Sequence, residues 1–247
     1  MTRRFADLAD FRLHPEIGGD LISVPDFGYS VLDLLSASGI AVAPGLVLTA
    51  AHVYTGPGGF YEGAHRFVDA SYAKRSLFSI DASAWVPDFA VGVVCGSSPL
   101  SPCIRLPGLR LIQQAVVEGF AIIIGWGIND KTSTRERRAG LTTIRSIDDR
   151  QIVLEGLAWP CGGDSGGLVC VLDPDSDEPV AIGVLRVGDG YCDSGGTDPI
   201  QAISLVRPDL AEILGPRLGE AIQRKRKSID AAGCSVGSLD LTPSFTS

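Results

Sequence analysis

Residues 161–167 read CGGDSGG and place Ser165 inside a turn that contains four glycines. A nucleophilic serine needs such a turn, because its hydroxyl must be exposed while backbone N–H groups converge on a single oxyanion. The N–H groups of Gly163 and Ser165 are placed to form that oxyanion hole. A glycine-rich surface turn is the alternative, but the pentamer GDSGG arises by chance in only about one such chain in a thousand. The segment therefore predicts a catalytic serine.

The candidate general base for Ser165 is a histidine, because a serine hydroxyl is a weak nucleophile until a base removes its proton. The chain has three histidines. His52 ends the apolar segment LVLTAAH at 46–52, so its imidazole is expected at a strand end, where a cleft can form. His14 lies in an irregular leader and His65 in a polar, glycine-rich stretch, which is typical of surface residues. His52 is therefore the predicted base.

Asp88 is the candidate carboxylate that orients this histidine. It heads the apolar segment DFAV at 88–91 and is expected to be buried with its neighbours. Because a buried carboxylate without a partner is costly, Asp88 needs a group from which to accept a hydrogen bond, and the His52 imidazole is predicted to be that group. Asp81 is the alternative carboxylate, but no comparable apolar run follows it.

The order of the three residues along the chain separates the classes of serine hydrolase. The pentamer at 163–167 also satisfies the Gly-x-Ser-x-Gly elbow of α/β-hydrolases, but those enzymes need a histidine after the serine. No histidine follows His65 in this sequence. The subtilisin order would require an aspartate before His52, and the sequence around Ser165 does not match that class. Histidine, aspartate and serine, in this order, indicate the chymotrypsin arrangement.

Four segments together resemble the ordered signatures of trypsin-like (chymotrypsin-family) serine proteases, in a compact bacterial form. These segments are TAAH at 49–52, DFAV at 88–91, GWG at 125–127 and GDSGG at 163–167. The resemblance spans about 17–213. It implies an all-β fold of two six-stranded antiparallel β-barrels with the active site between them, plus a C-terminal α-helix. It also implies a serine endopeptidase that hydrolyses peptide bonds through an acyl-enzyme intermediate.

The distribution of apolar residues and turn residues agrees with a mostly β protein. The chain has 30 glycines and 15 prolines, and these punctuate short apolar runs. The runs lie at 39–43, 46–50, 89–95, 116–124, 151–154, 168–172, 180–185 and 200–205. The predicted parts are a leader at 1–20, a trypsin-like peptidase domain at 21–213 (N-terminal barrel about 21–105, C-terminal barrel about 106–206), a C-terminal helix at 207–226 and a flexible tail at 227–247.

The resemblance also assigns residues that would bind substrate. Arg186, Val187 and Gly188 correspond to the strand that pairs with the substrate backbone, and Trp159 to the floor of the specificity pocket. In that family, selectivity for lysine or arginine rests on an aspartate at the floor position. This chain has Trp159 there, so the residue preferred before the scissile bond stays open. Arg186 replaces a serine that commonly supports the triad aspartate, and it is expected either to act on Asp88 and His52 or to point to solvent.

The same resemblance implies a disulfide between Cys161 and Cys192 that braces the pocket. The pairing of the other four cysteines stays open: Cys95 and Cys103 flank a turn, whereas Cys170 and Cys234 lack obvious partners. The segment EIGGD at 16–20 resembles an activation junction, in which a freed Ile17 amine would pair with Asp164. An ordinary turn is the alternative reading of that segment.

Charge and hydropathy narrow the range of partners. The net charge of −8 disfavours a nucleic-acid partner. The segment 34–51 carries no charge, but its Pro44-Gly45 turn favours two strands over a membrane span. Neither a metal nor an organic cofactor is predicted, because the histidines show no ligand spacing. A monomer that acts on peptide or protein substrates is expected, and paired cysteines favour an extracytoplasmic or secreted location although residues 1–10 show no signal peptide.

A pseudoprotease is the alternative function. Such a protein would use the same double-barrel fold as a binding module, recognising a peptide without cutting it. A hydrolase that acts on esters rather than peptides is a third possibility. The presence of all three catalytic residue types and of the oxyanion glycine favours the endopeptidase.

Overall fold

The computed structural model describes most of the chain from residue 21 to residue 223. The described residues are 21–22, 28, 30–35, 37–43, 45–56, 59–60, 63–68, 75–82, 88–95, 103–107, 119–127, 135–155, 158, 160–173, 176, 178–186, 199–212, 214–216, 219 and 223. Within them the chain is mostly antiparallel β structure, with a closed barrel, a larger sheet and a short C-terminal helix.

The strands are β1 (Leu21–Ile22), β2 (Val31–Asp33), β3 (Ser38–Ala43), β4 (Leu46–Ala50), β5 (Thr55–Gly56), β6 (Gly59–Phe60), β7 (Gly63–Val68), β8 (Arg75–Ala82), β9 (Phe89–Cys95), β10 (Phe120–Gly125), β11 (Arg138–Ile147), β12 (Gln151–Glu155), β13 (Leu168–Leu172), β14 (Pro179–Arg186) and β15 (Ile200–Ser204).

The closed barrel is formed by the first half of the chain, in the order β2-β3-β4-β9-β8-β7. β3 and β4 are buried along their whole lengths, which explains why this part of the sequence carries no charge. They pair antiparallel, with Ile40 opposite Leu48, and the chain reverses between them near Gly45. The prediction of two strands for the uncharged segment is therefore confirmed. Among the described residues, no helix has the length and apolar character that a membrane crossing requires.

The second half of the chain supplies most of a seven-stranded sheet, in the order β1-β11-β10-β13-β14-β15-β12. β12, at one end of this order, pairs with β15 through Ile152 and Ala202 and also with β11 through Ile144 and Leu154. β1 comes first in the chain but belongs to this sheet, where Leu21 lies opposite Gly140. The two halves of the chain are therefore tied together at the N-terminal strand.

A shared hydrophobic core joins the barrel to the sheet. Leu48 and Phe89 from the barrel pack in one cluster with Ile124 and Leu168 from the sheet. The indole N–H of Trp126 donates a hydrogen bond across the junction to the carbonyl of Val31, at 3.0 Å. Large apolar side chains on both faces make this junction a continuation of the core rather than a hydrated cleft.

The C-terminal helix covers part of the same core. The described residues 210–212, 214–216, 219 and 223 are helical, and Leu210 and Leu214, four residues apart, are buried in the shared cluster. This spacing places both leucines on one helix face. The predictions of an antiparallel β protein, a closed six-stranded barrel and a C-terminal helix are confirmed, whereas the second barrel stays a prediction.

Candidate active site

Two neighbouring strands of the barrel place His52 and Asp88 side by side. His52 lies on the 3₁₀ turn Ala51–Tyr54 that follows β4, and Asp88 immediately precedes β9. β4 and β9 pair antiparallel, so the end of one strand meets the start of the other. The backbone N–H of Ala51 donates to the carbonyl of Asp88 at 2.7 Å. The two functional residues, 36 positions apart in sequence, are therefore adjacent because of strand pairing.

The Asp88 carboxylate binds both the backbone and the ring of His52. Oδ1 accepts from the His52 backbone N–H at 2.7 Å, and Nδ1 of the ring lies 2.8 Å from Oδ1 and 2.9 Å from Oδ2. Asp88 has a φ of +66°, a left-handed conformation that aspartate tolerates better than most residues and that is often found at functional sites. Its side chain is only 8% exposed, as the sequence predicts for a carboxylate that has a partner.

The nucleophile loop brings Ser165 to the other side of the same ring. The loop occupies the residues before β13, in the seven-stranded sheet, and Ser165 is buried. Nε2 of His52 lies 2.9 Å from Oγ of Ser165. The imidazole thus bridges a carboxylate from the barrel and a hydroxyl from the sheet. Its side chain is 42% exposed, so the ring can be reached from solvent.

The loop around Ser165 leaves two N–H groups available. Gly163 adopts a φ of +95°, a conformation that glycine adopts without strain. Among the described residues, neither the N–H of Gly163 nor the N–H of Ser165 meets an acceptor. The turn that contains Gly163 is closed by the N–H of Asp164, which donates to the Cys161 carbonyl at 2.9 Å. Two such N–H groups beside a serine hydroxyl are what an oxyanion would require.

The glycine at position 163 gives a test with an internal control. An added Cβ in Gly163→Ala would lie 2.6 Å from Nη1 of Arg135 and 3.1 Å from the carbonyl oxygen of Trp126. Either strain at positive φ or a shift of the loop would displace the Gly163 N–H. We expect kcat to fall about 10²- to 10³-fold, as for loss of one oxyanion donor, measured with an activated ester substrate.

Gly162→Ala is the matched control, because a Cβ at Gly162 meets no atom within 4 Å. We expect this variant to keep activity within a few-fold of wild type. Equal activities of the two alanine variants would contradict the assignment of Gly163 to an oxyanion hole.

Ser38 holds the nucleophile loop in place, and the sequence analysis missed it. Its hydroxyl donates to the Gly163 carbonyl at 2.9 Å and accepts from the Trp126 N–H at 2.8 Å. Its backbone N–H donates to the Ser165 carbonyl at 2.8 Å, and its carbonyl accepts from the Thr49 hydroxyl at 2.8 Å. The sequence shows only a serine ahead of an apolar run, whereas the burial of Ser38 is known from the structure.

Asp164 is buried directly beside the nucleophile. Its Oδ2 accepts from the Cys161 N–H at 2.7 Å. Burial raises the pKa of Asp164 to about 6, although hydrogen bonds from Cys161 and Gly127 and the charges of Arg138 and Arg135 act in the opposite direction. Desolvation therefore outweighs the favourable contacts of this carboxylate.

The Gly-Trp-Gly segment at 125–127 leaves room for the carboxylate of Asp164. A Cβ built on Gly125 or on Gly127 would collide with the carboxyl group of Asp164. The bulky Trp126 between them is 2% exposed and packs into the shared core. The motif thus combines two positions without side chains and one large apolar anchor, which explains its place among the four signatures.

Arg186 contacts the triad carboxylate. Its Nε lies 3.0 Å from Oδ2 of Asp88, while 53% of the arginine side chain remains exposed. Of the two expectations for this residue, contact with Asp88 is the one that the structure shows. The carboxylate is therefore shared between the ring of His52 and a guanidinium.

Several predicted site residues lie outside the described residues. They are Trp159, Val187, Gly188, Cys192, Cys234 and Ile17. The specificity pocket, the disulfide between Cys161 and Cys192, and the activation junction therefore stay predictions. Cys170 is a buried free thiol, and burial raises its pKa. In the described part of the chain, no cluster of three or more histidine, cysteine, aspartate or glutamate side chains is arranged to hold a metal ion.

Comparison with protein-family models and with curated proteins gives no match. The resemblance to trypsin-like proteases therefore rests on the four sequence segments.

Proposed function

We propose that this protein is a serine endopeptidase of the trypsin-like type. The observation that carries the proposal is the position of the His52 ring: Nδ1 is 2.8 Å from Asp88 and Nε2 is 2.9 Å from Oγ of Ser165. A histidine held on one side by a buried carboxylate and on the other by a hydroxyl is the arrangement that activates a serine.

The proposed reaction begins with proton transfer from Ser165 to His52. Asp88 keeps the Nδ1 proton in place, so Nε2 takes the hydroxyl proton while Oγ attacks the carbonyl carbon of the substrate. The N–H groups of Gly163 and Ser165 stabilise the resulting oxyanion. Collapse of this intermediate transfers the proton from Nε2 to the leaving amine and leaves an acyl-enzyme.

Deacylation repeats these steps with water as the nucleophile. His52 removes a proton from the water molecule, which attacks the acyl carbon. The second oxyanion accepts hydrogen bonds from the same two N–H groups. The proton on Nε2 then returns to Oγ as the carboxylic acid product is released. The peptide bond is thus replaced by one carboxyl and one amino terminus.

We further propose that the seven-stranded sheet is the second barrel of the double-barrel fold. This proposal is supported by β12, which pairs on one side with β15 and on the other with β11. A sheet whose end strand reaches back to an earlier strand has the connectivity of a barrel. The triad would then lie between two barrels, with His52 and Asp88 on the first and Ser165 on the second.

Labelling with a fluorophosphonate tests the function directly. Such reagents phosphonylate only serines that a nearby base has activated, with fluoride as the leaving group. We expect a single adduct on the peptide that contains Ser165, located by mass spectrometry, and none in Ser165→Ala or His52→Ala. Parallel assays with ester and peptide substrates then show whether peptide bonds are cut.

Absence of label on folded wild-type protein would contradict the proposal. It would favour the pseudoprotease, in which the same fold binds a peptide without acyl transfer. Label on Ser165 with ester but no peptide hydrolysis would favour the esterase instead.

A further inference from the structure

The backbone of β14 places Arg186 at the edge of the nucleophile loop. The N–H of Leu185 donates to the Gly167 carbonyl at 2.7 Å, and the N–H of Gly166 donates to the Leu185 carbonyl at 2.8 Å. These two bonds fix the last residues of β14 against the turn that carries Ser165. The side chain of Arg186 therefore starts from a rigid position within the catalytic centre.

The guanidinium of Arg186 is fixed on one side and open on the other. Its Nε is held by Oδ2 of Asp88 at 3.0 Å, and that carboxylate is 8% exposed, whereas the arginine side chain is 53% exposed. A guanidinium carries five N–H donors, four of them on Nη1 and Nη2. Among the described residues, none of those four meets an acceptor.

The open side of the guanidinium lies close to His52, because both residues contact the carboxylate of Asp88. Asp88 contacts both the ring of His52 and the guanidinium, so the two groups lie on neighbouring sides of one carboxylate. The ring of His52 is itself 42% exposed. A ligand that reaches His52 and Ser165 therefore passes beside the free donors of Arg186.

We propose that Arg186 forms a subsite for a substrate carboxylate, that of an aspartate or glutamate close to the scissile bond on its N-terminal side. The proposal rests on the proposed peptidase function. A planar guanidinium binds a carboxylate through two parallel hydrogen bonds. Asp88 already orients the arginine, so less side-chain freedom is lost when the ligand binds.

The attraction between Arg186 and a substrate carboxylate acts only at short range, because the protein as a whole is negatively charged. The chain carries a net charge of −8, so the overall field does not draw acidic peptides to the surface. An exposed ion pair of this kind is screened by salt. The expected selectivity is therefore modest, about two- to fivefold in kcat/KM for an acidic side chain over its amide, and weaker at high ionic strength.

Matched peptide libraries test the subsite. Each pair of libraries is identical except for glutamate or glutamine fixed at the second, third or fourth position before the scissile bond. We expect wild type to prefer glutamate in at least one pair. Arg186→Gln should lose the preference, Arg186→Glu should reverse it, and Arg186→Lys should keep part of it. The glutamate-to-glutamine ratio is the readout, because any general effect of these variants on Asp88 cancels.

Binding measurements separate this inference from the proposed function. The same peptide libraries are bound to Ser165→Ala and to the double variant Ser165→Ala, Arg186→Gln, and the ratio of Kd values for the two libraries is compared. A higher ratio of the glutamate-library Kd to the glutamine-library Kd in the double variant supports the subsite even if no peptide is hydrolysed. Equal glutamate-to-glutamine ratios with and without Arg186, at all three positions, would overturn the subsite even if Ser165 proves to be an active nucleophile.

Discussion

Asp88→Asn is expected to lower kcat by about 10⁴-fold. The carboxylate accepts from Nδ1 of His52 at 2.8 Å and so keeps the ring proton on that nitrogen. An amide can instead present a donor to Nδ1, which favours the tautomer with the proton on Nε2. Nε2 would then donate to Ser165 rather than take its proton. Steady-state hydrolysis of a peptide substrate, together with the rate of fluorophosphonate labelling, measures the loss.

The fold of Asp88→Asn should be unchanged, because asparagine also tolerates the φ of +66° found at this position. Tryptophan fluorescence, to which the buried Trp126 contributes, checks the fold independently of activity. Asp209→Asn is the matched control, since it removes a carboxylate that pairs with Arg207 and does not touch the triad. A loss of less than tenfold in Asp88→Asn would contradict the role given to Asp88.

The strands that the sequence predicts are those in which burial and apolar character coincide. β4 is an unbroken apolar run whose residues are all buried, so its position follows from composition alone. β11 was not predicted, because Arg138, Thr142 and Arg145 interrupt its apolar residues. Arg138 and Thr142 are nevertheless buried, and the Thr142 hydroxyl donates to the Glu155 carbonyl of the neighbouring strand at 3.3 Å. Only tertiary contacts make such polar positions part of a strand interior.

Residues of the candidate site can be predicted where the proposed chemistry restricts the residue type. They cannot be predicted where only their position in space matters. Few residue types can serve as a nucleophile, a base or an orienting carboxylate, so Ser165, His52 and Asp88 are easy to recognise in the sequence. Ser38 does not stand out, because a serine has many uses. Its contact with Gly163 spans 125 positions and exists only because the barrel and the sheet meet there. The contact between Arg186 and Asp88 was one of two open readings for the same reason.

Two buried carboxylates in this centre have different environments. Asp88 accepts hydrogen bonds from the backbone and the ring of His52 and forms an ion pair with Arg186. Asp164 is completely enclosed, and burial is the largest influence on its pKa. Hydrogen bonds and cations compensate a buried charge only when they are numerous and close. Asp164 is therefore the carboxylate whose ionisation opposes folding, which leads to a prediction about stability.

Asp164→Asn is expected to change the pH dependence of stability. The pKa of Asp164 is raised from 3.8 to about 6 in the folded protein, so between these values the folded state holds a proton that the unfolded state has lost. The wild-type free energy of unfolding must then fall as pH rises through this window. The full loss is about 3 kcal/mol, of which roughly 2 kcal/mol falls between pH 4 and pH 7. The asparagine variant lacks this loss, and urea unfolding at pH 4, 5, 6 and 7, followed by tryptophan fluorescence, measures the difference.

The test depends on how steeply the free energy of unfolding changes with pH, and not on a constant difference in stability between the two proteins. The substitution also changes the hydrogen bonds and packing at position 164, and that part of its effect on stability is the same at every pH. Asp148→Asn is the control of opposite sign. Hydrogen bonds from the N–H groups of Gln151 and Arg150 lower the pKa of Asp148, so its contribution to stability is present above the unfolded pKa and lost as pH falls. Parallel stability curves for wild type and Asp164→Asn would show that Asp164 is ionised in the fold without cost.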